Sequence, residues 1–119
     1  MSIKSRCKNI RDSYVVNQAQ SVKLPEFTDA PIKRYRIVFS GRVQKVGFRL
    51  EVSELAKRLG LTGYCRNLAS GDVEAELQGP DNRIQFLLSF MESLIRIRIR
   101  EKTVEELEVK DAEGAFLQF

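Results

Sequence analysis

The sequence predicts an α+β sandwich in which two helices cover one face of a largely antiparallel sheet. Three patterns carry that expectation. Strand-like runs rich in β-branched and aromatic residues open and close residues 35–107. Two stretches with apolar residues at helical spacing lie between them. A glycine-marked turn joins two short strands in the middle.

The elements follow in order. Residues 1–32 show neither clear periodicity nor an apolar face and end in Pro25 and Pro31, so they read as an N-terminal extension, partly ordered by docking on the domain that begins at Lys33. "YRIVF", 35–39, is a strand by composition. After a loop bracketed by Gly41 and Gly47, residues Phe48, Val52, Leu55, Ala56 and Leu59 form one apolar helical stripe, stopped by Gly60. "LTGYCRN", 61–67, and "DVEAELQ", 72–78, are two strands joined by Leu68-Ala-Ser-Gly71, with glycine where a left-handed residue is wanted. Gly79-Pro80-Asp81-Asn82 opens a second helix carrying Ile84, Leu87, Leu88, Met91 and Leu94. "IRIRIR", 95–100, alternates with period two and starts a long strand reaching Leu107, while "AFLQF", 115–119, supplies a short fifth strand. The order βαββαβ is that of a ferredoxin-like sandwich with sheet order 4-1-3-2. In it the first two strands run parallel with the third between them, so their carboxyl ends emerge on one edge, roughly 10 Å apart. Topology alone therefore brings Arg49, after the first strand, toward Asn67, at the end of the second.

Composition narrows the chemistry. The 119 residues are 43% hydrophobic and 30% charged, which is ordinary for one globular domain. The net charge of +4 is spread evenly: residues 1–32 hold five Lys/Arg against three Asp/Glu, and the remainder holds fifteen against thirteen. No basic stripe marks a nucleic-acid surface, so anion affinity has to come from a local site. There is no histidine, which excludes Ser–His and Cys–His catalysis, histidine acid–base work and the common zinc sites. Cys7 and Cys65 lie far apart, and neither is followed six residues later by Arg, since Ser13 and Gly71 stand there. Two free thiols in a reducing compartment are expected. No apolar run approaches the ~20 residues of a membrane span, and Met1-Ser-Ile-Lys-Ser-Arg has no apolar signal core. The expectation is a cytoplasmic monomer with no membrane or nucleic-acid partner.

The loop "SGRVQKVGFRLE", 40–51, puts Arg49 in the first turn of a helix, where the macrodipole disfavours a cation by about 0.3–1 kcal/mol. An arginine set against that field either holds an anion or points into water. A glycine-containing turn at a helix N-terminus presents successive amide N–H groups, and a guanidinium adds a planar fork suited to phosphate oxygens. This is not a Walker loop, because no GK[ST] follows at the required spacing.

These residues carry a resemblance. "GRVQKVGFR", 41–49, closely resembles the acylphosphatase signature G-x-V-Q-G-V-x-F-R. "GLTGYCRNLASGDVEAELQG", 60–79, resembles the family's second segment, G-x-x-G-x-V-x-N-x-x-D/S-G-x-V-E-x-x-x-x-G. The resemblance covers residues 34–119 and implies the same sandwich. It also implies hydrolysis of a carboxyl–phosphate anhydride to a carboxylate and inorganic phosphate, without metal or other cofactor. By position, Arg49 matches the arginine that binds the phosphate. The backbone amides of Gln44, Lys45, Val46, Gly47 and Phe48 complete the phosphate loop, and Asn67 matches the asparagine that orients the attacking water. The partners implied are a small acyl phosphate and inorganic phosphate.

One position departs from the signature: its central glycine is Lys45 here. If the loop needs positive φ there, lysine costs on the order of 1–2 kcal/mol. Lys45 and the extension motivate an alternative, a catalytically weak acylphosphatase-like module that binds an anion or a protein. An RNA-binding sandwich of the same topology is disfavoured, because "DVEAELQ" offers acids and no stacking aromatic. Arg96, Arg98 and Arg100 are expected on one strand face, solvated or paired with Glu74 and Glu76 across strands. Phe48 and Phe86 are expected in the core, and Glu105, Glu106 and Glu108 at the surface without a metal-binding arrangement.

Overall fold

A computed structural model describes the backbone of residues 3–119 and the side chains of residues 10–119. The elements are α1 (Ile3–Ser21), β1 (Ile32–Arg42), α2 (Phe48–Arg58), β2 (Thr62–Asn67), β3 (Val73–Pro80), α3 (Asp81–Ser93), β4 (Arg98–Leu107) and β5 (Leu117–Gln118). The five strands form one sheet in the order β4-β1-β3-β2-β5. All pairings are antiparallel except β2 with β5. The expected 4-1-3-2 order is present, extended by the short fifth strand.

Alternation along the strands sorts the side chains. Ile37 and Phe39 of β1, Cys65 of β2, and Val73, Ala75 and Leu77 of β3 are buried. They share one core with Val52, Leu55 and Ala56 of α2 and Ile84, Leu87, Leu88 and Met91 of α3. Each large aliphatic side chain removed from water there contributes about 1.5–3 kcal/mol. Phe48 lies in this core, tilted against Phe39 at 4.9 Å between ring centroids. Phe86 packs against it half-buried and meets Phe27 edge-on.

The opposite sheet face carries ions. Arg34 is fully buried and donates to Glu76, Gln78 and both carboxylate oxygens of Glu113 at 2.8–3.1 Å. Glu74 accepts from Arg36, Tyr64 and Arg66. Gly71 closes the β2–β3 turn with φ 95, donating its N–H to the carbonyl of Leu68.

Two regions differ from the sequence expectation. The N-terminal residues, expected as a partly ordered extension, contain a 19-residue helix. Its Val15 and Ala19, four residues apart, are completely buried, and α1 packs against α2. Both its polar faces obscure that narrow apolar contact, so no periodic signal exists to read. Cys7 and the first residues considered for a signal lie outside the described side chains.

The second difference is at the start of β4. The strand begins at Arg98, not Ile95, because the chain leaves α3 through a turn at residues 95–96. Ile95 is 93% exposed and Arg96 turns inward to Glu51, which it meets at 2.9 Å. Arg98 and Arg100 are exposed. Of the two expected outcomes, solvation holds for Arg98 and Arg100, and pairing with Glu74 or Glu76 holds for none of the three. β4 borders β1, so β1 separates it from β3, and those glutamates pair with Arg36, Arg66 and Arg34. No helix among the described residues is long and apolar enough to cross a membrane.

Candidate active site

The loop from Val43 to Gly47 joins β1 to α2 at the carboxyl end of β1. Its apolar side chains anchor it: Val43, Val46 and Phe48 are all buried, while Lys45 between them is exposed. This alternation pins the loop by its side chains and leaves backbone at the surface. Gly47 is the N-cap of α2 at φ 80, ψ 17, and no side chain caps the helix. The first intrahelical bond runs from the Glu51 amide to the Gly47 carbonyl at 3.0 Å. The amides of the first turn therefore have no intrahelical acceptor, and the positive end of the dipole is available to an anion.

Arg49 extends from that first turn. Its Nη1 donates to the main-chain carbonyl of Phe119, whose own N–H donates to the carbonyl of Cys65 at 2.9 Å. The guanidinium is thereby tied to β2 two residues before Asn67. Among the described residues, one of its five N–H donors is used, which leaves the fork able to meet an oxyanion. Asn67 is the last residue of β2, exposed, and its amide has no hydrogen-bond partner among the described residues. Gln44 links the two sides directly. Its Nε2 donates to the carbonyls of Leu68 at 3.0 Å and Asp72 at 2.9 Å, fastening the loop to the turn that follows Asn67. The residues singled out in the sequence thus come from the adjoining ends of β1, α2 and β2.

Cys65 lies beneath this region without the character of a nucleophile. Burial pushes its thiol up to about 12, against the opposing pull of the Arg49 charge. Among the described residues, no group of three or more His, Cys, Asp or Glu side chains is placed to hold a metal ion.

Lys45 has φ 62, so the left-handed conformation anticipated for the glycine position is adopted by a lysine. That conformation costs about 1–2 kcal/mol for a residue with a Cβ. Something must hold it, and the sequence reading missed what does. Arg11 of α1 donates Nη1 to the Lys45 carbonyl at 3.1 Å, and Arg96 donates Nε to the Val46 carbonyl at 2.9 Å. Arg11 sits in a segment with no legible pattern, and Arg96 is concealed in a run whose alternation mimics a strand.

Loop, uncapped helix start and first-turn arginine define a class: a split-βαβ domain with a cradle for an oxyanion at one edge of its sheet. The comparisons with known proteins narrow that class. An acylphosphatase family model matches residues 35–117. An acylphosphatase of Clostridium beijerinckii is 38% identical over 87 residues, covering 70% of this chain and 93% of that protein. One of Chlorobaculum tepidum is 41% identical over 81 residues, covering 68% and 84%. The crystal structure of acylphosphatase from Bacillus subtilis has a TM-score of 0.68 at 30% identity, over 73% of this chain and 98% of that one. The chain belongs to the acylphosphatase family.

Proposed function

We propose that the protein is an enzyme that hydrolyses the carboxyl–phosphate bond of small acyl phosphates, with Arg49 and Asn67 as its catalytic residues. The observation that carries the assignment is the uncapped N-terminus of α2 with Arg49 in its first turn, tied through Phe119 to the strand that ends in Asn67, in a chain of this family. The amides of residues 44–48 and the Arg49 guanidinium hold the phosphoryl oxygens. Asn67 holds a water in line with the bond to be broken. The water oxygen bonds to phosphorus as the phosphorus–carboxyl oxygen bond breaks, and the carboxylate leaves with the electron pair.

A departing carboxylate has a conjugate acid of pKa about 4, so no general acid is needed. A phosphoryl oxygen takes the water's proton, which makes the products a carboxylate and inorganic phosphate. Asn67 is no base, but phosphoryl transfer depends mainly on position and charge stabilisation. The absence of histidine is therefore no obstacle.

The test is hydrolysis of a generic acyl phosphate in excess chelator, comparing wild type with Asn67→Ala. Activity should survive the chelator and should not rise with Mg²⁺ beyond ionic-strength effects. Asn67→Ala should lower kcat by about a hundredfold or more while inorganic phosphate still binds by calorimetry. Equal loss of phosphate binding and rate would mean that Asn67 shapes the loop instead. A strict metal requirement would overturn the mechanism.

A further inference from the structure

Three consecutive residues of the loop are each gripped from outside the segment that the family model matches or from the α3–β4 turn. The Lys45 carbonyl accepts from Arg11 and the Val46 carbonyl from Arg96. A Cβ placed on Gly47 would stand 2.7 Å from Cγ2 of Val15, so the helix packs directly on that α-carbon. Gly47 has to be glycine here for its φ of 80 and for the closeness of α1.

Arg96 is itself held by α1. Its Nη1 donates to Oε1 of Gln18 at 2.6 Å and its Nη2 to Glu51 at 2.9 Å, with the Tyr14 ring beside it. The far end of α1 is fastened to α2 by Arg58, which donates to the carbonyls of Ala19 and Val22 at 2.8 and 2.7 Å. The match to the family begins at residue 35, so α1 is an addition to the conserved architecture.

We propose that α1, with Arg96, is an intramolecular brace that sets the conformation of the phosphate loop, and that Arg11, Val15, Gln18 and Arg96 are positioning residues for the reaction. The proposal rests on reading residues 44–48 as the phosphate cradle. Its physical basis is the planar trans peptide, in which C=O and N–H point in opposite directions. A guanidinium that holds the Lys45 carbonyl turns the Val46 N–H away from α1. One that holds the Val46 carbonyl orients the Gly47 N–H in the same manner. Two bonds to carbonyls thus fix two successive amide donors, which is the preorganisation that charge stabilisation requires. The brace also explains how lysine is tolerated at φ 62. Arg11 holds the conformation that glycine would adopt unaided. By linkage, phosphate bound in the cradle tightens the docking of α1, and undocking of α1 weakens phosphate.

Arg96 faces buried Glu51 and its replacement endangers the fold, so two milder variants of the full chain serve. Arg11→Gln removes the contact to Lys45, and Gln18→Ala removes the hydrogen bond between Arg96 and α1 without disturbing Glu51. Each is made in the wild type and in the Lys45→Gly background. Readouts are kcat and KM, inorganic phosphate binding by calorimetry, and hydrogen exchange of the Val46 and Gly47 amides. In the wild type, Arg11→Gln should lower kcat and weaken phosphate about tenfold, the worth of one charge-assisted hydrogen bond. The loop amides should exchange faster. With Lys45→Gly the Arg11→Gln effect should shrink to about threefold or less. A fall in thermal midpoint with kcat, phosphate affinity and loop exchange unchanged would overturn the brace, and so would an Arg11→Gln effect of equal size in both backgrounds. Should the wild type bind no phosphate, the reading of the cradle fails by itself, and loop exchange in the two variants still decides the brace.

Discussion

The two faces of the molecule use arginine in different ways. On the open sheet face, Arg34 and Glu74 sit on the paired strands β1 and β3, and their partners converge on them from β1, β2, β3 and, at Glu113, the segment between β4 and β5. Arg34 makes four hydrogen bonds and Glu74 accepts from three side chains. On the helix side, Arg96 reaches three separate pieces of chain: the loop, α1 and α2. Its carboxylate partner Glu51 is fully buried yet leaves Oε2 without a hydrogen bond among the described residues. A saturated network inside a sheet can hold only one arrangement and serves stability. A network spread over elements that can shift against each other controls their relative placement, at the expense of an incompletely satisfied group.

The sharpest way to break this comparison is to remove one arginine from each side. Arg49→Ala should lower turnover by about a thousandfold or more and abolish phosphate inhibition with little change in thermal midpoint. Arg49→Lys should not rescue it, since a point charge cannot replace the fork. Rates together with circular dichroism decide this, and near-normal rates in a folded Arg49→Ala protein would refute the site. Arg34→Met should do the opposite. It strands Glu113 and leaves Glu76 with Tyr64 as its hydrogen-bond donor, and should cost about 3 kcal/mol of stability or more, with kcat of the folded fraction unchanged. Denaturant unfolding and active-fraction kinetics separate the two quantities.

A smaller effect is expected at Lys45. Lys45→Gly relieves the left-handed strain and should stabilise the protein by about 1 kcal/mol. It should raise kcat up to about tenfold if the whole strain falls on the transition state. Phosphate inhibition should weaken as the ammonium is lost, because added charge near the site mainly supplies uniform binding. A fall in kcat would show that the lysine is a productive part of the loop.

The smallest effect is a pH dependence of opposite sign on the two faces. Burial raises the Glu51 carboxyl above its ordinary 4.5, and the Arg96 bond only partly opposes this. Its contribution to stability is therefore complete below about pH 4.5 and declines as pH rises through the elevated value. Burial alone would also raise Glu74, but bonds from Tyr64, Arg66 and Arg36 prevail and hold it below 4.5. The Arg34 bond, acting against burial, does the same for Glu113. Those two stabilise fully above about pH 4.5, and that contribution is lost as pH falls through their lowered values. Thermal midpoints against pH should show Glu74→Gln flattening the acid limb and Glu51→Gln removing the decline above pH 4.5. Identical profiles for the two variants would abolish the distinction between the faces.

The sequence by itself determined most of the sandwich, because period-two and period-3.6 burial are local properties of a chain. The strands around Ile37 and Ala75, the stripe from Phe48 to Ala56 and the turn at Gly71 are all legible from neighbouring residues. The placement of Arg49 and Asn67 near one edge follows from strand order, and the signature that Lys45 interrupts marks the position where a positive φ would matter. Tertiary structure alone decided what surrounds them. α1 docks through Val15 and Ala19, two small buried residues too few to form a periodic signal. Arg96 leaves the strand pattern because the exit from α3 needs a turn, which points it at Glu51 and the loop rather than across the sheet. Arg11 meets Lys45 across 34 positions of sequence. Such contacts pair a side chain with a backbone carbonyl, and a carbonyl is the same in every residue, so nothing in the sequence marks which one will be held.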